Sequence, residues 1–164
     1  MSPDARPDDG PATSLLFEVF ATSQAVGRLL ASAMRDGPLT PGEYAVHSAI
    51  FELEAATPTV IAARLGMPLT TVADQLRGLE ERGHAARLPH PTDRRSYRVV
   101  LTAAGRAAHA AANRGFEAAH AAFSAALGSR EEASFDALRA IRVAAEAAVG
   151  PGTVSPRRSG GRAG

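Results

Sequence analysis

The chain has five histidines and no cysteine. Thiolate nucleophiles, disulfides, thiolate metal ligands and cysteine redox sensing are therefore absent, and any zinc site would rest on imidazole and carboxylate. Glu43 and His47 are spaced to share one face of a helix, Glu117 and His120 share another, and His109 falls on the same stripe as Asn113, Phe116 and His120. Within a single helix His109 and His120 would stand roughly 16 Å apart along the axis, too far to hold one ion. A zinc centre would instead combine Glu43, His47 and His109 across two helices. The plainer use of Tyr44, His47 and His109 is to line a pocket for an organic effector or simply to pack, with Glu117 and His120 as a surface pair. No Gly-x-Ser-x-Gly elbow, phosphate loop or His-Glu-x-x-His motif is present, so nothing assembles an enzyme.

A second group of residues suits nucleic acid. Asp93-Arg94-Arg95 sits in a polar stretch between two alternating segments, and Thr70, Thr71, Asp74, Gln75 and Arg77 cluster on a short helical segment. Hydroxyls, amides and guanidinium groups meet phosphates and base edges, and an arginine pair at a loop tip is drawn to the negative potential of a minor groove. Asp93 is read as the residue that pairs with an arginine and fixes the loop. Net charge is only +1, yet residues 64 to 98 hold seven Arg against four acids, a local basic bias.

These residues need elements to position them. Leu16, Val19, Phe20, Val26 and Leu30 fall at helical spacing from Thr13 to about Met34, and Asp36-Gly37-Pro38 stops that helix. Thr40-Pro41-Gly42-Glu43 combines an N-cap, a first-turn proline and a capping glutamate, and Thr57-Pro58 repeats the cap before a short helix ended by Gly66. A fourth helix spans Leu69 to Arg82, with Val72, Leu76 and Leu79 inward and Thr70, Asp74, Arg77 and Glu81 outward. After Gly83 the period becomes alternating through Ala85, Arg87, Pro89 and then Tyr97, Val99, Leu101, which predicts a hairpin with a basic tip. Thr102 caps an Ala-rich helix to about Leu127, and Ser129 with Glu132 predicts a capping box for a last helix carrying Phe135, Leu138, Ile141 and Val149.

Two short helices joined through Gly66 and followed by a hairpin make a winged helix-turn-helix. The expected fold is mainly α with a small β-hairpin wing: a winged helix-turn-helix lobe at about 39–105 and a helical dimerisation region at about 13–35 and 102–149, forming one domain over 13–149. Ala-rich faces permit close helix approach, and Phe17, Phe20, Phe116, Phe123 and Phe135 supply bulk for a dimer core. The ends, 1–12 and 150–164, are rich in Pro, Gly, Ser and charge and read as disordered. No apolar run is long enough for a membrane span, and the acidic start lacks the pattern of a secretion signal, so a cytoplasmic protein is expected.

Leu39-Thr40-Pro41, Ile61-Ala62-Ala63-Arg64-Leu65-Gly66, Leu79-Glu80-Glu81-Arg82-Gly83, and Asp93-Arg94-Arg95 leading into Val99-Val100-Leu101-Thr102 and Gly105 resemble the MarR family of bacterial regulators. The resemblance covers residues 39 to 105 by motif and the flanking helices by layout. It implies a homodimer built by the first, fifth and sixth helices, palindromic double-stranded DNA, and a small-molecule effector between the dimer region and the DNA lobes, with no required cofactor. Two positions depart from the pattern. Asp74 replaces a basic or neutral polar residue, and Met67-Pro68 replaces the usual cap of the fourth helix, so that Thr70 is expected to cap it and start it later. The competing functions are a winged-helix module that binds protein and a zinc-responsive regulator.

Overall fold

The computed structural model describes residues 14–149. The order is α1 (Leu15–Ala33), α2 (Pro41–Leu53), α3 (Pro58–Leu65), α4 (Leu69–Glu81), β1 (Ala85–Pro89), β2 (Tyr97–Leu101), α5 (Ala103–Leu127), a 3-10 turn (Gly128–Arg130) and α6 (Glu131–Val149). Contacts divide the chain between Ala121 and Ala122 into two compact units, a boundary inside α5 and inside the segment expected to be one domain. The terminal segments read as disordered lie outside the described residues. No described helix is long and apolar enough to cross a membrane.

Capping chemistry sets the helix starts of the first unit. Thr40 Oγ1 accepts from the Glu43 N–H while Glu43 Oε2 accepts from the Thr40 N–H at 2.8 Å, a reciprocal capping box with Pro41 in the first turn. Thr57 Oγ1 accepts from the Val60 N–H ahead of α3, and Gly66 closes that helix at φ 63°, ψ 28°, where a glycine carries no Cβ penalty. Arg82 then ties the end of α4 to the start of α2 through Glu43 at 2.7 Å.

The core of this unit joins Val46, Ala49 and Ile50 of α2, Ile61 of α3, Val72, Leu76 and Leu79 of α4, and Ala85, Val99 and Leu101 of the hairpin. The three α4 residues are the inward set that the helical period predicts. A second cluster packs Met34, Leu39, Tyr44, Ala108 and Ala112 with Phe116 against it, joining the end of α1 to α2 and α5.

The hairpin is antiparallel, in register from Ala85 opposite Leu101 to Pro89 opposite Tyr97. A two-stranded ribbon is marginal alone, and this one is anchored at its root. Ala56 and Val99 exchange backbone hydrogen bonds at 2.8 and 3.2 Å. Thr102 donates its hydroxyl to the Gly83 carbonyl at 2.6 Å, donates its N–H to the His84 carbonyl, and accepts from the Gly105 N–H. A Cβ on Gly105 would stand 1.9 Å from the His84 oxygen, so only glycine permits this approach.

In the second unit the chain passes through the 3-10 turn into α6 at Glu131. Ser129 lies inside that turn, so the expected Ser129–Glu132 capping box does not form; the carboxylate that takes up a nearby hydroxyl is Glu131, which accepts from Ser124 at 2.6 Å.

Candidate nucleic-acid interface

Thr70 and Thr71 occupy the first turn of α4, both exposed, opposite the buried Val72. Pro68 is the N-cap and no side chain caps this helix. Thr70 therefore sits inside the helix and does not cap it, contrary to the sequence expectation: the proline's extended ψ of 139° already turns the chain into the helix. The first-turn N–H groups are left free of a side-chain acceptor, a feature suited to phosphate.

Asp74 and Arg77 are outward, as the period predicts, and they bind each other: Arg77 Nη1 donates to Asp74 Oδ1 at 3.0 Å. Gln75 is only half-exposed, and its amide nitrogen lies 3.5 Å from where a Cβ on Gly42 would stand. Its side chain is directed to the start of α2 and away from the face formed by Thr70, Asp74 and Arg77.

Between the strands the wing tip organises itself. The His90 ring nitrogen Nδ1 accepts from the Asp93 N–H at 3.1 Å, Asp93 Oδ1 accepts from the Arg95 N–H at 3.0 Å, and the Asp93 carbonyl accepts from the Ser96 N–H. Asp93 thus fixes the turn as expected, but by bonding to the backbone of Arg95 and not to a guanidinium. Both Arg94 and Arg95 are exposed, and neither enters an ion pair among the described residues.

A hollow of about 300 Å³ is lined by Leu30 and Met34 of α1, Tyr44 and Ser48 of α2, and Phe116 of α5, with Arg64 and Glu52 also on its wall. Those last two pair with each other at 2.9 Å. The three residues expected to line an effector pocket separate here. Tyr44 lines it, donating its hydroxyl to Asn113 Oδ1; burial pushes its phenol up. His109 stacks on Tyr44 with ring centroids 5.2 Å apart and on Phe51 at 4.9 Å, and its Nε2 meets the Ser48 hydroxyl at 3.0 Å. His47 does not line it; it is fully buried, edge-on to His84 at 5.5 Å. The pocket residues the sequence reading missed, Ser48, Glu52, Arg64 and Phe116, come from three helices, and no local spacing marks them.

The candidate zinc residues are each engaged separately. Glu43 holds the Thr40 N–H and Arg82; burial raises its carboxyl, and those two partners outweigh it and hold it below the usual carboxylate value. His47 Nδ1 donates to the Glu43 carbonyl at 2.8 Å, and its Nε2 is buried without a partner, as is Nδ1 of His84. Burial pushes both His47 and His109 down, so both are neutral near pH 7. Among the described residues no group of three or more His, Asp or Glu side chains is arranged to hold a metal ion.

Residues 39–97, which hold α2, α3, α4, β1 and the wing tip, match the sequence profile of the MarR family. Over that stretch the chain is similar to MarR-family regulators. The chain is 33% identical over 107 residues to the HTH-type transcriptional regulator TtmR of Methylorubrum extorquens, an alignment that takes in 65% of this chain and 55% of that protein, so the chain spans about half the length of that curated relative. The fold of the MarR-type lobe and its flanking helices is shared with solved structures. The PcaV regulator of Streptomyces coelicolor, crystallised with its natural ligand, superposes with a TM-score of 0.73 at 25% identity, over 87% of this chain and 99% of that one. The M. tuberculosis regulator MosR, crystallised with DNA, gives a TM-score of 0.72 at 25% identity over 82% and 98%.

Proposed function

We propose that the chain is a DNA-binding transcriptional repressor that acts as a homodimer on a palindromic operator, with occupancy modulated by a small-molecule effector. The observation that carries this reading is the placement, on one MarR-type lobe, of the exposed Thr70 and Thr71 at an uncapped helix start together with the exposed Arg94 and Arg95 at the wing tip. The helix would enter a major groove and the wing arginines the adjacent minor groove. The DNA complex of the M. tuberculosis regulator supports the reading.

A dimer is supported by apolar side chains left exposed on two helices. Leu16, Phe17 and Phe20 on α1 are 60–74% exposed, and Phe135, Leu138 and Val143 on α6 are 54–62% exposed, a pattern that marks an association surface. Two copies would present their α4 helices roughly 34 Å apart, one turn of DNA. The hollow lined by Tyr44 and Phe116 is the effector site of this reading. An effector acts there only by binding one spacing of the lobes better than the other, and a difference of a few kcal/mol suffices to control occupancy.

A mobility-shift titration on a duplex from the chain's own promoter region, repeated at several salt concentrations, tests the proposal. A regulator gives a sequence-preferring, salt-sensitive shift. No such shift would favour a winged-helix module that binds protein.

A further inference from the structure

We infer that Glu80, Arg87 and Tyr97 form a clamp that sets the angle between α4 and the wing and so aims Arg94 and Arg95 at DNA; the aiming half of this inference rests on the DNA-binding reading above. Glu80 lies in the last turn of α4, where a carboxylate opposes the helix dipole. A cation on β1 meets it. Arg87 Nε donates to Glu80 Oε1 at 2.6 Å and Arg87 Nη2 to Oε2 at 2.9 Å. The guanidinium carbon also lies 4.3 Å from the centre of the Tyr97 ring on β2. One planar group is thus gripped at its edge by the helix and on its face by the second strand.

The position of the clamp along the ribbon matters. At the root, Ala85, Val99 and Leu101 are in the core. Outward from there β1 loses its burial step by step, and Arg87, Leu88 and Pro89 are exposed. Past the last pair, Pro89 with Tyr97, only the self-organised tip remains. The clamp therefore acts where the core ceases to hold the ribbon. Any tilt there is carried to the tip over successive residues, each about 3.3 Å long.

A pair formed for stability alone would gain little at a site where Arg87 is 54% exposed. A bidentate fork, in contrast, fixes direction as well as distance. Glu80 is only 22% exposed, which shields the pair from screening on its helix side. Glu80, Arg87 and Tyr97 are therefore positioning residues, and the groups that would touch DNA are those they aim.

The test has two arms on the full chain. In the DNA-free protein, amide residual dipolar couplings report the orientation of β1 and β2 relative to α4. Glu80→Gln and Arg87→Lys are expected to change that orientation, with the couplings of α2 to α4 unchanged; an unchanged wing orientation overturns the inference whatever the protein binds. In the second arm a labelled promoter duplex is titrated with wild type, Glu80→Gln, the double variant Arg94→Ala/Arg95→Ala, and the combination of all three. Glu80→Gln is expected to weaken binding about tenfold in the wild-type background and less than twofold where the tip arginines are already gone. An equal loss in both backgrounds overturns the inference, because the change then acts through the fold and not through the tip. Altered couplings in a protein that shifts no duplex would refute the regulator reading while confirming that the clamp sets the wing angle.

Discussion

Asp74 and Arg77 face outward from the middle of α4 one turn apart, joined by a 3.0 Å hydrogen bond, with side chains 71% and 64% exposed. An exposed pair of this kind is worth about 0–1 kcal/mol, so it breaks readily when a phosphate offers Arg77 a better partner. In the proposed DNA-binding mode the carboxylate would then remain beside the same phosphates. Asp74→Asn is therefore expected to strengthen DNA binding by several-fold, measured by fluorescence anisotropy at fixed salt. Weaker binding to one duplex and not to others would show instead that Asp74 accepts from a cytosine amino group.

Arg95 is held by its backbone, whose N–H Asp93 Oδ1 accepts, and its guanidinium enters no ion pair among the described residues. Arg95→Ala leaves that turn bond in place and removes one charge. Affinity is expected to fall for every sequence alike, and the slope of log K against log salt to decrease by about one unit. Unchanged affinity and slope would remove the wing tip from the interface.

Gly105 faces the turn that begins the wing, where a Cβ would meet the His84 carbonyl at 1.9 Å and its carbon at 2.8 Å. Backbone cannot yield there without loosening the Thr102 bonds to Gly83 and His84. Gly105→Ala is expected to destabilise the fold by about 1–3 kcal/mol, the range for forced overpacking, read by chemical denaturation. A neutral result would show that α5 can back away from the turn at no cost.

What could be read from sequence follows from range. The Thr40 box, the Thr57 cap, the Gly66 stop and the inward set Val72, Leu76, Leu79 depend on neighbours within a turn or two, and all appear as the residue types require. Gln75, three residues after Val72 and four before Leu79, borders the inward face, and its amide lies beside Gly42 at the start of α2. The departures come from partners that spacing does not encode. His47 shares a helix with Tyr44, yet its ring meets His84 and not the hollow. Local competition explains the rest. Pro68 turned the chain into α4 before Thr70 could cap it, and a 3-10 turn absorbed Ser129. The Glu80–Arg87 fork has no motif of its own in the sequence and is visible only once β1 lies against α4.

Phe17 and Phe20 of α1, 60% and 61% exposed, place two aromatic rings on a face that nothing in the chain's first unit covers. Changing both to Glu is expected to convert a dimer to monomer in sedimentation velocity while circular dichroism stays helical. A dimer that persists at the same concentration would place the association surface elsewhere.

His47 and His109 supply the pH dependence. Burial holds both below the ordinary histidine value in the folded chain. The groups around His47 add nothing that favours its charge beyond the Glu43 carbonyl: Arg82, His84 and His109 all oppose it. For His109 the opposing influence is Glu52, which favours the charged form and is outweighed by burial. With the folded value below the unfolded one, the unfolded chain binds more protons in the window between them. The stabilising contribution is therefore complete above about pH 6.5, the unfolded value, and is lost as the pH falls from there toward the folded values. Each differential proton sets a slope of at most ~1.4 kcal/mol per pH unit. His47→Leu fills the same core site without a titrating group, and it also removes the unpartnered Nε2. Unfolding free energies measured from pH 7.5 to 5 are expected to fall less steeply for this variant than for the wild type, with the two curves closest in slope above pH 7. Parallel curves over the whole range would mean that His47 becomes charged as easily in the fold as outside it, and that its burial carries no proton linkage.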